Sequence, residues 1–263
     1  MKKILLGAAV AMLGIAPALA ADMAPRYTKA PAPAVVAAAY NWTGFYVGVN
    51  VGYSDTDYNW RYTNPVPTTI VPFGINNSSA IYGAQIGAQY QWNQIVLGIE
   101  YAYNAHDRNN ATNVGCGPNP TLARISCNVN SDSTQTLGGK LGWAGWNNWL
   151  VYASGGYAQT RISTDVFVTA NRVRFDFSNR RTHDGAYAGF GFDYALWKGG
   201  LADLIIGAEY QHIWIDTAFH ASSADAFAAN GQNGRNIRGD EDLVRAKLSV
   251  KFNPFGNSVI AKY

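Results

Sequence analysis

The chain has 263 residues, of which 48% are hydrophobic, 13% aromatic and 14% charged, and its formal net charge is +3. The charged fraction is below the roughly 25% of an average soluble domain, and the aromatic content excludes a disordered chain. A charge this close to zero excludes a strongly basic nucleic-acid binder, so nucleic acid is not among the expected partners.

The first 20 residues have the pattern of a secretory signal peptide. Lys2 and Lys3 form the charged region, residues 4–15 the apolar region, and residues 18–20 (Ala-Leu-Ala) the small-residue cleavage site. An uncleaved anchor is the alternative, but the apolar run is shorter than the ~20 residues of a membrane helix. Residues 21–41 are rich in alanine and proline, which predicts an extended periplasmic linker before a domain at residues 42–263.

Apolar residues alternate with polar residues or glycine through most of the remaining chain. A period of two is typical of β-strands with one apolar face. Residues 44–54 show it clearly, with apolar side chains at the odd positions 45–53. The register of one later strand, at residues 149–162, stays open. The pattern predicts eight strands, at residues 44–54, 80–92, 94–104, 134–145, 149–162, 185–197, 203–215 and 242–252.

The connections between these strands alternate between short and long. The short ones are Asn93 and residues 146–148 and 198–202. Outer-membrane barrels have short periplasmic turns and longer extracellular loops, and closure leaves no unpaired edge in the hydrocarbon. The long connections are predicted at residues 55–79, 105–133, 163–184 and 216–241.

We therefore predict an all-β fold, an eight-stranded antiparallel up-and-down transmembrane β-barrel in the outer membrane of a Gram-negative envelope. Its termini would be periplasmic and its long loops would lie at the cell surface. A soluble barrel is the alternative, but it would be apolar inside and polar outside. Here the polar faces carry charges of both signs, which favours a packed lumen.

Two groups of residues are predicted to face the lumen or the membrane interface. Eight strands leave an interior that side chains just fill, which favours charge pairing over a narrow conducting path. Tryptophans near the short turns are placed for a periplasmic aromatic girdle. The lumen charges are Glu100, Lys140, Asp193, Glu209, Arg245, Lys247 and Lys251, and the girdle residues are Trp42, Trp92, Trp146, Trp149 and Trp197.

The long connections contain two further features. Cys116 and Cys127 predict one disulfide in an exported protein, with two free thiols as the alternative. The arginine guanidinium matches the geometry of a phosphate group, so the third long connection is a candidate anion-binding loop for lipopolysaccharide. The alternatives are a solvated loop without a ligand and strands that extend beyond the bilayer. The arginines of this connection are Arg172, Arg174, Arg180 and Arg181.

The sequence contains no motif that predicts a catalytic, metal or haem site. The four histidines, His106, His183, His212 and His220, have no spacing that supports a metal or haem site. We find no catalytic constellation either. Neither a cofactor, a metal nor enzymatic activity is therefore expected.

Several segments give the chain a family resemblance. They are residues 18–22 (ALAAD), 41–53 (NWTGFYVGVNVGY), 149–157 (WLVYASGGY), 207–210 (GAEY), 244–252 and 259–263 (VIAKY). On these segments the chain resembles the alphaproteobacterial outer-membrane immunogenic protein family of small porin-like barrels. The resemblance implies an abundant, antigenic surface protein of eight strands and leaves its activity open, because the loops do not match.

Three functions follow as expectations. The first is a non-enzymatic outer-membrane barrel that displays surface loops and supports envelope integrity. The second is a small porin that passes ions or small solutes. The third is an adhesion or ligand-binding protein whose loops contact a host or surface ligand. Outer-membrane lipids, including lipopolysaccharide, are expected partners in each case.

The C-terminal strand is the expected contact with the barrel assembly machinery. Simple outer-membrane barrels end their last strand on an aromatic residue that the assembly machinery reads, and Phe252 closes the last predicted strand here. Eleven residues follow it, and the last of them is Tyr263. Either aromatic residue could be the recognised one.

Overall fold

The computed structural model describes residues 40–63, 73–107, 113–115, 125–168, 174–177, 180–221 and 234–253. Within these ranges, no helix is long and apolar enough to cross a membrane. The predicted signal peptide and most of the predicted linker lie outside the described residues. The described strands are β1 (Gly44–Thr63), β2 (Phe73–Trp92), β3 (Ile95–His106), β4 (Asn113–Gly115), β5 (Ile125–Trp146), β6 (Trp149–Val168), β7 (Arg174–Phe177), β8 (Arg181–Lys198), β9 (Ala202–Ala221) and β10 (Gly234–Phe252).

The eight long strands form one closed antiparallel ring. Its order is β1, β2, β3, β5, β6, β8, β9 and β10, and β10 pairs back onto β1 from Phe45 opposite Phe252 to Thr63 opposite Gly234. The short strands β4 and β7 extend this sheet beside β5 and β6. Closure pairs every long strand on both sides, and the predicted eight-stranded barrel is confirmed.

One end of the barrel, which we call the turn end, carries the short connections. Asn93 and Gln94 join β2 to β3, and Asn147 and Asn148 join β5 to β6. Asn93 has φ 54° and Asn148 has φ 65°. Asparagine tolerates this left-handed conformation better than other side-chain-bearing residues, which is why it occupies tight turns. The opposite end, which carries the long connections, is called the loop end.

The barrel wall reverses its polarity between the two ends. In the turn-end half of β10, Val244 and Leu248 are exposed on the exterior, whereas Arg245 is buried in the interior. In the loop-end half of the same strand, Ile237 and Leu243 are buried and the neighbouring aspartates are exposed. We call the exterior apolar surface of the turn-end half the apolar band, and the loop-end half the extension.

The predicted long connections are wrong in extent because the strands continue into them. β1 runs to Thr63 and β9 to Ala221, well past the predicted ends at residues 54 and 215. The alternation does not stop there. The apolar set moves from the exterior face to the interior face, so the lipid-facing pattern ends while the strand continues.

Two further details differ from the sequence prediction or complete it. Tyr40, assigned to the linker, is buried, and its hydroxyl donates a hydrogen bond to Asp203 Oδ2 at 2.7 Å. In β6, Leu150 and Tyr152 are buried while Trp149 and Val151 are exposed. This fixes the register that the sequence left open.

Candidate functional site

The turn end of the interior is filled by an apolar cluster that includes Trp42. Trp42 is 1% exposed and meets Tyr40 edge-on, with ring centroids 4.7 Å apart. Its backbone N–H donates to Gln91 Oε1 at 2.7 Å, and its carbonyl accepts from Gln89 Nε2 at 2.8 Å. The placement of Trp42 in the aromatic girdle is therefore wrong. The residue precedes β1, so no strand alternation directs its ring outward.

The segment containing Tyr40 is tied into this end by charged groups. Lys251 Nζ lies 3.4 Å from Asp203 Oδ2 and also donates to the carbonyl of Asn41. The same ammonium lies 4.5 Å from the centroid of the Tyr40 ring, which adds a cation–π contact. The turn-end mouth is thus occupied by the chain's own residues.

A network of six charged side chains forms the next layer. Arg245 Nη2 lies 2.7 Å from Glu100 Oε1 and 2.8 Å from Glu209 Oε2. Lys140 Nζ bridges Glu100 at 3.2 Å and Asp193 at 3.4 Å. Three cations and three carboxylates make the layer neutral, because Lys247 completes it with Asp193 and Glu209 at 3.4 and 3.3 Å.

Tyrosine rings close the remaining space in the charged layer. The Tyr46 hydroxyl donates to Glu100 Oε2 at 2.7 Å, and Lys247 Nζ donates to the Tyr152 hydroxyl oxygen at 2.5 Å. A Cβ atom at Gly87 would collide with the Tyr46 ring, and one at Gly191 with the Tyr152 ring. Glycine at these interior positions therefore makes room for the aromatic rings.

A smaller buried layer of hydrogen-bonded polar side chains lies beyond the charged network. Glu241 is fully buried and accepts hydrogen bonds from Ser54 at 2.7 Å and from Thr134 at 3.0 Å. His106 Nε2 lies 3.5 Å from Glu241 Oε1 and 2.9 Å from Thr134 Oγ1. The contact of His106 with Glu241 was not predicted, because Glu241 lies in a connection that was predicted to be a loop.

The extension encloses an apolar core. Its members include buried residues of β1, β2, β5, β6, β8, β9 and β10, which pack across the barrel axis. This core makes the extension similar in polarity to a soluble barrel, with water outside and apolar side chains inside. The cluster contains Tyr58, Trp60, Ile75, Ile81, Cys127, Val129, Ala158, Ile162, Val166, Tyr187, Ile213, Ile215, Ile237 and Leu243.

Polar residues are buried beside this core near the loop end. His183 Nε2 lies 2.9 Å from His220 Nε2. Arg235 donates through Nη2 to Thr164 Oγ1 at 2.7 Å and lies 4.7 Å from the centroid of the Trp60 ring. Within the described residues, no group of three or more His, Cys, Asp or Glu side chains is placed to hold a metal ion.

The other predicted site residues are placed as follows. Trp92, Trp146, Trp149 and Trp197 are exposed on the exterior near the turn end. Arg180 and Arg181 are exposed, and Arg180 Nε pairs with Asp132 Oδ2 at 2.7 Å. Arg172 and the side chain of Arg174 lie outside the described residues, so the anion-binding loop stays a prediction.

The structure describes one of the two cysteines of the predicted disulfide. Cys127 is buried in the apolar core and is disulfide-bonded. Cys116 lies outside the described residues, so the Cys116–Cys127 pairing stays a prediction. At the C-terminus, Phe252 is exposed and is the last residue of β10, whereas Tyr263 lies outside the described residues.

Comparison with known proteins identifies the family. The family model of the outer membrane protein beta-barrel domain matches residues 6–252. The chain belongs to this family. The 31 kDa outer-membrane immunogenic proteins of Brucella melitensis and Brucella suis are each 23% identical over 201 residues, covering 74% of this chain and 81% of theirs. The predicted resemblance to alphaproteobacterial outer-membrane proteins is thereby confirmed.

Solved structures of this kind of barrel are also similar. The outer membrane protein OprG of Pseudomonas aeruginosa aligns with a TM-score of 0.47 and 15% identity, over 82% of this chain and 98% of that chain. Membership of the family places the chain in the outer membrane. Its apolar band is therefore the surface that contacts lipid.

Proposed function

We propose that this protein is a non-enzymatic outer-membrane barrel with a closed lumen, which displays its extension at the cell surface and supports envelope integrity. The observation that carries the proposal is the layered filling of the interior. Trp42 and Tyr40 occupy the turn-end mouth, the neutral network around Arg245 fills the middle, and apolar side chains pack the extension. Each layer separately opposes the passage of hydrated ions.

The proposed orientation follows from the two ends. Short turns are periplasmic and long connections extracellular in bacterial outer-membrane barrels. The extension is polar outside, which suits a segment that projects from the bilayer into water. Protease shaving of intact cells tests this orientation: cleavage should fall in the connections at the loop end, and cleavage at the Asn93 turn would reverse the assignment.

The non-enzymatic role is supported by the state of the interior carboxylates. Glu100, Asp193 and Glu209 are buried and are each paired with lysine or arginine. A carboxylate held in such pairs is not free to act as a general acid or base towards a solute. The role in envelope integrity is tested by deleting the gene and measuring sensitivity to bile salts. A deletion strain as resistant as its parent would contradict it.

Two partners belong to this proposal. Lipopolysaccharide would surround the outer part of the apolar band, as the neighbouring lipid of a surface barrel. The barrel assembly machinery would read β10, whose exposed terminal Phe252 supports that residue as the signal. Assembly assays should then show slower folding for Phe252→Ala than for Tyr263→Ala. The reverse order would assign the signal to the chain terminus.

Planar-bilayer recording tests the closed lumen. The refolded mature protein, residues 21–263, should incorporate without discrete conductance steps. Heat-modifiable gel mobility and flotation with labelled vesicles show that the folded protein is present in the bilayer. Reproducible steps that shift when Lys247 and Lys251 are both replaced by glutamine would overturn the closed lumen and support the porin function.

A further inference from the structure

A pocket of about 200 Å³ opens on the wall of the extension, across β9, β10 and β1. It is lined by Asn59, Trp60, Arg61, Thr217, Asn236 and Arg238. Two arginines, two carboxamides and a hydroxyl therefore supply most of its polar surface, and no carboxylate lines it. Such a group of donors matches an anion with several oxygen acceptors.

The strand register explains why the two guanidinium groups are available. Arg61 lies opposite Asn236, and Arg238 lies opposite Asn59. Opposite charges commonly face each other across a strand pair, but across the β1–β10 pair each arginine faces a neutral amide, and only on its β9 side does Arg238 lie opposite a carboxylate residue, Asp216. Both side chains are exposed, and among the described residues neither forms an ion pair.

Two other charged groups on the exterior of the barrel are paired. Arg180 Nε contacts Asp132 at 2.7 Å, and His212 Nδ1 lies 2.8 Å from Asp242 Oδ1. The two pocket arginines thus differ from these charged groups in their surroundings, since polar but neutral side chains accompany them in a concave site.

A β-bulge gives the pocket its shape. The pairing of β9 with β10 shifts register between Ile237 and Gly239, so that Asp216 and Thr217 both face Arg238. Bulges change the direction of side chains and increase the local twist of a sheet. The extra residue brings the Thr217 hydroxyl to the pocket beside Asn236 and Arg238.

The height of the pocket above the membrane indicates whether its anion comes from a lipid headgroup or from a soluble molecule. Asn59 is six residues beyond Tyr53, the last apolar exterior residue of β1. At about 3.3 Å per residue and a strand tilt of about 40°, the pocket lies roughly 15 Å above the apolar band. That height is beyond the lipid phosphates that border the hydrocarbon.

Acidic residues separate the pocket from the membrane. Asp57 lies opposite Asp240 and Asp55 opposite Asp242, and all four are exposed on the exterior. These carboxylates repel lipid phosphates that approach from the bilayer. A solute that arrives from the aqueous side meets the arginines before it reaches these carboxylates.

We infer that this pocket binds a phosphate or sulfate ester carried by a soluble, monosaccharide-sized molecule. The guanidinium groups of Arg61 and Arg238 bind the anionic oxygens. Asn59, Asn236 and Thr217 bind the hydroxyl groups of the attached sugar. The inference rests on the proposed exposure of the extension outside the membrane, but binding in detergent micelles does not depend on that orientation.

Calorimetric titration of the refolded protein in zwitterionic micelles tests the site. The probes are glucose 6-phosphate, inorganic phosphate, neutral glucose and lipid A. Glucose 6-phosphate should bind, and glucose should not. Arg61→Gln and Arg238→Gln should each weaken binding by about tenfold, the usual scale of a charge-assisted hydrogen-bond pair. The matched control, Arg161→Gln on the exterior of β6, should leave the affinity unchanged.

The other outcomes separate the alternatives. Equal weakening by the control variant, or no binding by the wild type, would overturn the site. Binding of lipid A without glucose 6-phosphate would overturn the soluble source. Equal affinity for inorganic phosphate would remove the sugar contacts from the inference. Phenylglyoxal modification read by mass spectrometry gives a test without variants, since glucose 6-phosphate should protect Arg61 and Arg238 and leave Arg161 reactive. Surface shaving of cells tests the orientation separately.

Discussion

His183 Nε2 and His220 Nε2 lie 2.9 Å apart inside the extension, and both side chains are buried. His183 Nδ1 is 3.0 Å from the carbonyl oxygen of Asp216, which can only accept. A neutral His183 therefore donates from Nδ1 and accepts at Nε2 from His220. Burial lowers the pKa of both imidazoles, and with the added effect of His183, Arg235 and Arg181 the pKa of His220 falls to about 3.

Acidification should loosen the loop end of the barrel. An exposed imidazole has a pKa of about 6.5, so an opened extension binds more protons than the closed one. The stability contributed by the pair is complete above about pH 6.5 and is lost as the pH falls towards 3. Hydrogen exchange, corrected for its intrinsic pH dependence, should show β8 and β9 losing protection near His183 and His220 between pH 6.5 and 4. Their protection should change less in the double variant His183→Gln/His220→Gln, and identical pH profiles would contradict the prediction.

Removing Arg245 should destabilise the barrel strongly. Arg245→Met leaves Glu100 and Glu209 without their shortest ion-pair partner inside a buried layer. Breaking a buried ion pair from one side costs about 3–5 kcal/mol. Urea unfolding in micelles, followed by tryptophan fluorescence, should show this loss. Arg161→Met on the exposed exterior of β6 is the control. A comparable loss of stability in that variant would show that the interior ion pairs do not stabilise the barrel specifically.

A charge on the apolar band should be far less tolerated than one on the extension. Ile99 is exposed near the middle of the band on β3, and arginine at the bilayer midplane of a barrel costs about 2–4 kcal/mol. Asn76 is exposed on the extension of β2, where arginine stays in water. Folding titrations into lipid vesicles should therefore separate Ile99→Arg from Asn76→Arg. Equal stabilities of the two variants would show that lipid contacts a different part of the barrel exterior.

Shortening the side chains of two adjacent residues of β10 to alanine should change the stability of the barrel by different amounts. Leu243 is fully buried in the apolar core, so Leu243→Ala should lower the free energy of unfolding by about 2–5 kcal/mol. Val244 faces outward and is 55% exposed, so lipid tails fill the space that Val244→Ala leaves. Chemical unfolding of both variants in the same vesicles measures the difference. A larger loss for Val244→Ala would contradict the polarity reversal along the strand.

The side on which a residue lies could be predicted wherever a strand pattern was present. Lys140 and Glu209 alternate with apolar neighbours, and a local period of two is enough to place both in the interior. Trp42 precedes the first strand, so this rule gave no information about its ring. The pairing of Arg245 with Glu100 could not be predicted from the sequence either, because the two residues are 145 positions apart.

The sequence by itself determined the strand number, the closed meander and the short turns, because alternation and turn residues such as Asn93 act over a few neighbours. The tertiary structure alone decided where the strands end and what fills the lumen. Ring closure lets β1 and β10 pair for their full length, and the interior of the extension becomes apolar once water surrounds its wall. Burial across the barrel, which no local pattern records, also brings His183 to His220 and Tyr40 to Asp203.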